Sequence, residues 1–274
     1  MNTLLVPTDF SAVADNALNY ALNMASRYHL DVHLVHIVQL PIPTLDNALY
    51  LNVPVDLQEP AKEQMILKIS KINELWPSVR VESRVELGHF LDSLERYSEE
   101  IKPVAVVMGI TGEGTALDKM IGSNTILTMR SIKEPLLVVP IKAAFKAVDK
   151  LCFACDLQDV TNSTPIFAIR EFALRFNAEI HLLNVDFENR HFTAETPVQL
   201  EALNSMFGDL DIKFHFIDNE NVEEAIHDFI EREKMDMLVM LPKKHSFFEG
   251  LFRKSQTKEM LYHSHIPILA LHHW

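Results

Sequence analysis

The sequence carries the same order of segments twice, and this repeat constrains the fold more than any other feature. "TLLVPTD" at residues 3–9 matches "KLCFACD" at 150–156, which aligns Asp9 with Asp156. Near the end of each half, "IKEPLLVVP" matches "HSHIPILAL". Such self-similarity predicts two structural copies. We therefore predict one domain over residues 1–143 and a second over 148–274, called here the first and the second repeat.

Each repeat alternates apolar strand-like segments with helical patterns. The strands "TLLVP", "VHLVHIV", "VAVVMG" and "PLLVVP" of the first repeat are almost continuously apolar, as buried parallel strands are. The alternation predicts an α/β fold in which an open parallel sheet is covered by helices on both faces. Ligands of such sheets bind beyond the carboxyl ends of the strands, where the strand order reverses. Asp9, Ile37 and Gly109 are predicted to lie at that edge.

Composition narrows the class of partner. The chain has 274 residues, 48% of them hydrophobic, which is typical of a soluble globular protein. Its formal net charge of -13 disfavours nucleic acid and anionic membranes as partners. Two cysteines and the lack of a leader-like first segment predict a reducing compartment, the cytoplasm.

Four of the seven glycines lie in one segment, "VVMGITGEGTALDKMIGSNT" at residues 106–125. The segment follows an apolar strand that ends at Gly109, and a helical pattern begins with "SNTILTMRSI". Unpaired N–H groups at a helix start suit phosphate oxygens, and glycines let the backbone approach a ligand closely. The segment lacks the Lys-Ser/Thr of a P-loop and follows the wrong strand for a dinucleotide fingerprint. A phosphate-binding loop is therefore predicted, with a set of tight turns as the alternative.

These segments together resemble the universal stress proteins, in particular their tandem two-domain form. The resemblance is carried by "VPTDFS" at 6–11, "VHIV" at 35–38, "MGITGEGTALDKMIGSNT" at 108–125 and "PLLVVP" at 135–140. It implies two Rossmann-like domains of the adenine-nucleotide α-hydrolase type. It further implies that they pack as a pseudo-dimer, with the last strand of each repeat near the contact.

The resemblance also implies a ligand for the first repeat: ATP, or AMP or ADP, with Mg²⁺ accompanying the phosphates. Asp9 and Ile37 are expected to border the adenine, while the glycine segment holds the ribose and phosphates. The expected binding residues are Pro7, Thr8, Asp9, Ile37, Gly109, Gly112, Gly122, Ser123 and Asn124.

The second repeat has lost the glycines of this segment. Its counterpart "VMLPKKHSFFEGLFRKSQTK" carries Leu241, Lys244 and Lys254 where the first repeat has Gly109, Gly112 and Gly122. Side chains at these positions would fill the phosphate space and oppose tight turns. We predict that this repeat does not bind ATP in the same way. A basic cluster, Lys243, Lys244, Arg253 and Lys254, is left open as a solvated patch, a phosphate contact or a domain contact.

No catalytic residue and no metal site is predicted. Cys152 and Cys155 have redox-motif spacing, but they fall on a strand with opposite orientations, so core packing is expected. The carboxyl-terminal histidines have no partner at ligand spacing; they are His263, His265, His272 and His273. No nucleophile with a paired base is recognisable, so at most slow ATP hydrolysis is expected.

Two functions remain open at this stage, and a third, an enzyme of the wider adenine-nucleotide hydrolase group, would require a catalytic base that is not recognisable in the sequence. The first is a nucleotide-binding regulator of the stress response, acting on an unidentified protein partner. The second is an interaction or scaffold module that uses the same fold without nucleotide. A homodimer of tandem chains is compatible with both. Replacing Gly112 or Gly122 with Lys separates them, because only the first function requires these glycines.

Overall fold

A computed structural model describes residues 2–39, 57–110, 123–188, 190, 192–241 and 265–272. The chain divides into two compact units, Met1–Met108 and Gly109–Trp274. The second unit therefore contains the end of the first repeat together with the whole second repeat. Within the part that the structure describes, no helix is long and apolar enough to cross a membrane.

The first unit is built on parallel strands in the order β3-β2-β1-β4. The helices α1, α2 and α3 connect them and pack on them. The elements are β1 (Thr3–Pro7), α1 (Ala12–Tyr28), β2 (Asp31–Val38), α2 (Glu59–Leu75), β3 (Val81–Leu87), α3 (Phe90–Ile101) and β4 (Ala105–Ile110). β4 runs one residue past Gly109, so the strand predicted to end there is slightly longer.

The second unit contains α4 (Ser123–Ser131) and β5 (Leu136–Pro140) from the first repeat, followed by the second repeat. The elements of the second repeat are β6 (Lys150–Ala154), α5 (Val160–Ser163), α6 (Ile166–Phe176), β7 (Glu179–Val185), α7 (Thr196–Phe207), β8 (Ile212–Ile217), α8 (Val222–Glu233), β9 (Met237–Met240) and β10 (Ile268–Ala270). Except for the additional short helix α5, these elements follow the predicted alternation as far as β9; the helix predicted between β9 and β10 falls outside the described residues.

The strands of the second unit lie in the order β5-β10-β9-β6-β7-β8. All neighbours are parallel except β5 and β10, which pair antiparallel from Val138 opposite Ile268 to Leu136 opposite Ala270. The last strands of the two repeats are thus hydrogen-bonded neighbours, which agrees with the implied position of both strands near the contact. All eight residues of β5 and β10 are buried.

Both cysteines are buried free thiols. Cys152 lies within β6 and is fully buried, and burial raises the pKa of its thiol to about 12. Cys155 follows the strand, and its Sγ accepts the backbone N–H of Leu157. The prediction of core packing is correct for Cys152, whereas Cys155 also shapes a turn.

Candidate functional site

The turn after β1 is fixed by three hydrogen bonds. The backbone N–H of Thr8 donates to the carbonyl of Val35 at 2.8 Å. The N–H of Phe10 donates to Thr8 Oγ1 and that of Ser11 to Asp9 Oδ1, both at 3.0 Å. Phe10 takes the left-handed conformation with φ 63°. The carboxylate of Asp9 is therefore held at the exposed edge of the sheet while Thr8 stays buried.

His36, on the neighbouring strand β2, completes this turn. Its Nδ1 lies 2.7 Å from the carbonyl oxygen of Thr8, so this nitrogen carries the proton and donates it. The ring of Phe10 packs on the imidazole with centroids 4.6 Å apart. The next residue, Ile37, is buried at the carboxyl end of β2. Four predicted binding residues, Pro7, Thr8, Asp9 and Ile37, thus lie at the carboxyl ends of two adjacent strands of the first unit.

Gly109 lies on the strand that flanks β1 on its other side. Ala105 and Val106 of β4 pair with Leu4 and Leu5 of β1. Because these strands are parallel, the carboxyl end of β4 faces the same edge as that of β1.

The carbonyl oxygen of Gly109 accepts a hydrogen bond from Thr125 Oγ1 at 2.9 Å. Thr125 is buried in the first turn of α4, which begins at Ser123, and Asn124 is half-buried. This bond joins the end of β4 to the first turn of α4, the two elements at the ends of the glycine segment. Gly112 and Gly122 themselves lie outside the described residues.

The second repeat builds the same turn from different side chains. The N–H of Cys155 donates to the carbonyl of Leu183 at 3.0 Å. The N–H of Leu157 donates to Cys155 Sγ at 3.4 Å, and that of Gln158 to Asp156 Oδ1 at 3.1 Å. Leu157 is left-handed, with φ 56°. Asp156 therefore occupies the place that Asp9 has in the first repeat.

Asn184 takes the role of His36 in this second turn. Strand register aligns them, since Pro7 pairs with Val35 and Ala154 with Leu183. The buried amide Nδ2 of Asn184 donates to the carbonyl of Cys155 at 3.0 Å. Sequence reasoning gave neither His36 nor Asn184 a role in this turn. The available signal was a polar residue near the carboxyl end of a largely apolar strand.

A recess opens at the carboxyl ends of β6 and β7, beside α8. It is lined by residues that include Ala154, Cys155, Asp156 and Val185, the counterparts of Pro7, Thr8, Asp9 and Ile37. Leu241, the counterpart of Gly109, is buried after β9.

The described residues contain no group of three His, Cys, Asp or Glu side chains that could hold a metal ion. His265 is exposed and His272 is half-buried. His263, His273 and the basic cluster Lys243, Lys244, Arg253 and Lys254 lie outside the described residues.

Sequence comparison decides the family. Residues 1–140 and, separately, residues 148–272 match the model of the universal stress protein family. The chain belongs to the universal stress protein family. A universal stress protein of Methanocaldococcus jannaschii is 25% identical over 138 residues, which are 50% of this chain and 80% of that protein.

Solved structures show the same fold over the full tandem universal stress protein. A universal stress protein from Archaeoglobus fulgidus superposes with a TM-score of 0.70 at 16% identity, covering 99% of this chain and 96% of that chain. A functionally unknown protein from Pseudomonas aeruginosa superposes with a TM-score of 0.61 at 12% identity, covering 99% and 92%. Similarity at this level of identity concerns the fold alone.

Proposed function

We propose that this universal stress protein binds an adenine nucleotide, ATP or its AMP and ADP forms, in its first repeat. The nucleotide-bound state then serves as a regulatory signal in a stress response. The observation that supports this most directly is the bond between Thr125 Oγ1 and the Gly109 carbonyl. It ties the start of α4 to the end of β4, at the two ends of the glycine segment.

The base would lie at the ends of β1 and β2. Ile37 offers an apolar surface for a ring, and the fixed carboxylate of Asp9 accepts N–H groups such as the adenine amino group. His36 and Thr8 act indirectly, because their hydrogen bond holds the turn that carries Asp9.

The phosphates would lie at the glycine segment and the start of α4. The donors proposed are the backbone N–H groups of Gly109, Gly112 and Gly122, together with Ser123 and Asn124. A helix start carries unpaired N–H groups and a positive dipole end, which suit phosphate oxygens. Mg²⁺ would be held chiefly by the phosphates themselves, since it keeps several water ligands and needs few protein ones.

The experiment compares the wild-type chain with Gly112→Lys and Gly122→Lys. Each substitution introduces the lysine that the second repeat carries at the corresponding position. Nucleotide released from denatured wild-type protein is identified by chromatography and mass, and Mg-ATP binding is measured by calorimetry. We expect about one nucleotide per chain, because only the first repeat keeps the glycines of this segment. Both variants should lose binding and keep the thermal midpoint of nucleotide-free wild-type protein.

The matched control is Lys244→Gly, which changes the corresponding position of the second repeat and should leave ATP binding unchanged. An empty wild-type protein with no calorimetric response to millimolar Mg-ATP would contradict the proposal. That result would favour the interaction module that does not need nucleotide.

A further inference from the structure

A pair of exposed histidines lies on the surface of the second unit. His227 in α8 and His265, which precedes β10, have ring centroids 6.2 Å apart and ring planes tilted by 58°. Both residues are exposed. Neither imidazole makes a hydrogen bond or an ion pair to any of the described residues. Sequence spacing indicates no metal-binding partner for His265, whereas the fold places one beside it from another element.

The separation of the two rings suits a single metal ion. Imidazole nitrogens bind zinc at about 2.0–2.1 Å, so two rings on one tetrahedral ion have centroids roughly 5–6 Å apart. The observed 6.2 Å needs only small rotations of two exposed side chains to reach this range. No third His, Cys, Asp or Glu of the described residues completes a ligand group with them, so water would fill the remaining positions.

The backbone beneath each histidine is fixed. One face of α8 is buried, and its buried residues are Ala225, Ile226, Phe229 and Ile230. The segment that enters β10 is held by Leu238 of β9, whose backbone N–H donates to the carbonyl of Pro267 at 3.0 Å. Metal binding therefore has to order only the two side chains, which keeps its entropic cost small.

The helix surface around His227 is acidic. Glu224 lies three residues before it and Glu231 four residues after it, so both are its neighbours on the surface of α8. Both carboxylates are on exposed residues, and they attract cations. Carboxylates suit Mg²⁺ and Ca²⁺, whereas imidazole suits Zn²⁺, Cu²⁺ and Ni²⁺. The histidine pair therefore determines which kind of ion is preferred.

We propose that His227 and His265 together bind one divalent transition-metal ion, for which Zn²⁺ is the probe. Each imidazole supplies one ring nitrogen, Glu224 and Glu231 attract the ion, and water completes its coordination. The ion links α8 to the segment that enters β10, the strand that pairs with β5 of the first repeat. All the residues involved belong to the second repeat, so the proposal does not depend on nucleotide binding by the first.

The test uses the full chain, freed of metal with EDTA and labelled with ¹³C in its histidine rings. Ring spectra report on each histidine separately, and the signals of His227 and His265 are assigned from the variants below. We expect one equivalent of Zn²⁺ to shift both signals together and EDTA to reverse the change. The same concentration of Mg²⁺ should leave both unchanged, because Mg²⁺ takes oxygen ligands.

Matched glutamine variants test the two ligands. His227→Gln and His265→Gln should each weaken Zn²⁺ binding at the remaining ring by at least about tenfold, the loss already typical when a group that supports a metal ligand is removed. The control is His89→Gln, which changes an exposed histidine of the first repeat whose side chain makes no cap hydrogen bond. It should leave the affinity unchanged. In metal-free buffer all three variants should keep the wild-type thermal midpoint.

The acidic neighbours have their own variant, Glu224→Gln with Glu231→Gln, which should weaken binding less than loss of either histidine. A larger loss would overturn the proposal, since it would assign the ion to the carboxylates. Unchanged histidine signals with Zn²⁺, equal binding of Mg²⁺, or wild-type affinity in His227→Gln and His265→Gln would also overturn it. None of these results bears on nucleotide binding, which is measured with Mg-ATP and the glycine variants of the first repeat.

Discussion

At the scale of single residues, His36 and Asn184 hold equivalent turns in the two repeats with different side chains. Each donates to the backbone carbonyl just after the first strand of its repeat. The distance is 2.7 Å from His36 Nδ1 to the Thr8 oxygen and 3.0 Å from Asn184 Nδ2 to the Cys155 oxygen. Thr8 Oγ1 and Cys155 Sγ are likewise exchanged as acceptors within the same turn. The path of the turn therefore depends on having a donor and an acceptor at these positions, and several residue types can supply them.

Replacing His36 tests this equivalence. His36→Leu leaves the carbonyl of buried Thr8 without its donor, and we expect the free energy of unfolding to fall by about 1–2 kcal/mol. His36→Asn supplies the donor that the second repeat uses and should retain most of the stability. Urea unfolding followed by circular dichroism measures both. Equal losses in the two variants would show that packing against Phe10, and not the hydrogen bond, matters at this position.

Sequence patterns identify some of these residues better than others. Asp9 was predictable as a rim residue because it follows an apolar strand directly. The partnership of His36 with Thr8 was not, because it joins two strands across 28 residues of sequence. A hydrogen bond between residues far apart in sequence produces no periodic pattern, so the sequence indicates only that a polar residue is present.

At the scale of secondary-structure elements, β7 and β8 carry a stacked histidine pair. His181 Nδ1 lies 3.0 Å from His215 Nε2, and the rings are nearly parallel, 7° apart, with centroids at 5.1 Å. One nitrogen must donate and the other accept, so the contact requires at least one neutral ring. Burial is the main cause that lowers the pKa of both imidazoles. Other groups near the pair are Glu179, Lys213, Lys150, Arg232 and Glu233.

The histidine pair predicts a loss of stability in mild acid. Both pKa values are lowered in the folded state from the ordinary 6.5, so the unfolded chain binds more protons once the pH falls through that value. We expect the free energy of unfolding to be lower at about pH 5.5 than at about pH 7.5. Replacing both histidines with Gln should reduce this difference. His265→Ala, which removes an exposed histidine, should preserve it.

The order of elements was predicted well because it rests on local patterns. Apolar runs and helical periodicity predicted the alternation of strands and helices in both repeats, and the structure confirms it for the described residues. The short helix α5 was missed: its four residues show no periodicity, and its start at Asp159 depends on a left-handed backbone conformation. The aromatic and histidine contacts between β7, β8 and α8 were equally invisible, since they join positions distant in sequence.

At the scale of the whole molecule, the pairing of β5 with β10 joins the end of one repeat to the end of the other. Val138 lies opposite Ile268 and Leu137 opposite Leu269, all fully or almost fully buried. Apolar runs predicted strands here, and the family resemblance implied only that both lie near the contact of the repeats. Which strand edges meet depends on which edges are left without partners, and that is a property of the assembled sheet.

Separating the repeats should expose this edge of β5. We expect a chain of residues 1–143 to form homodimers in solution, because an apolar strand edge without its partner pairs with an equivalent strand. Light scattering after size-exclusion chromatography measures the mass. Val138→Lys, which places a charge on the strand, should shift the fragment towards monomer. A wild-type fragment that is folded and monomeric would contradict the prediction.

The two turns with left-handed Phe10 and Leu157 also bear on how a duplicated chain can diversify. Because either set of donors and acceptors builds the same backbone path, the four-residue segments 8–11 and 155–158 amount to interchangeable cassettes. We expect that either segment can replace the other, together with its supporting side chain, His36 or Asn184, without further changes in the strands. The residues that fix the backbone of the turn are thus different from the side chains that the turn exposes. The exposed side chains of each repeat can therefore change without loss of the turn.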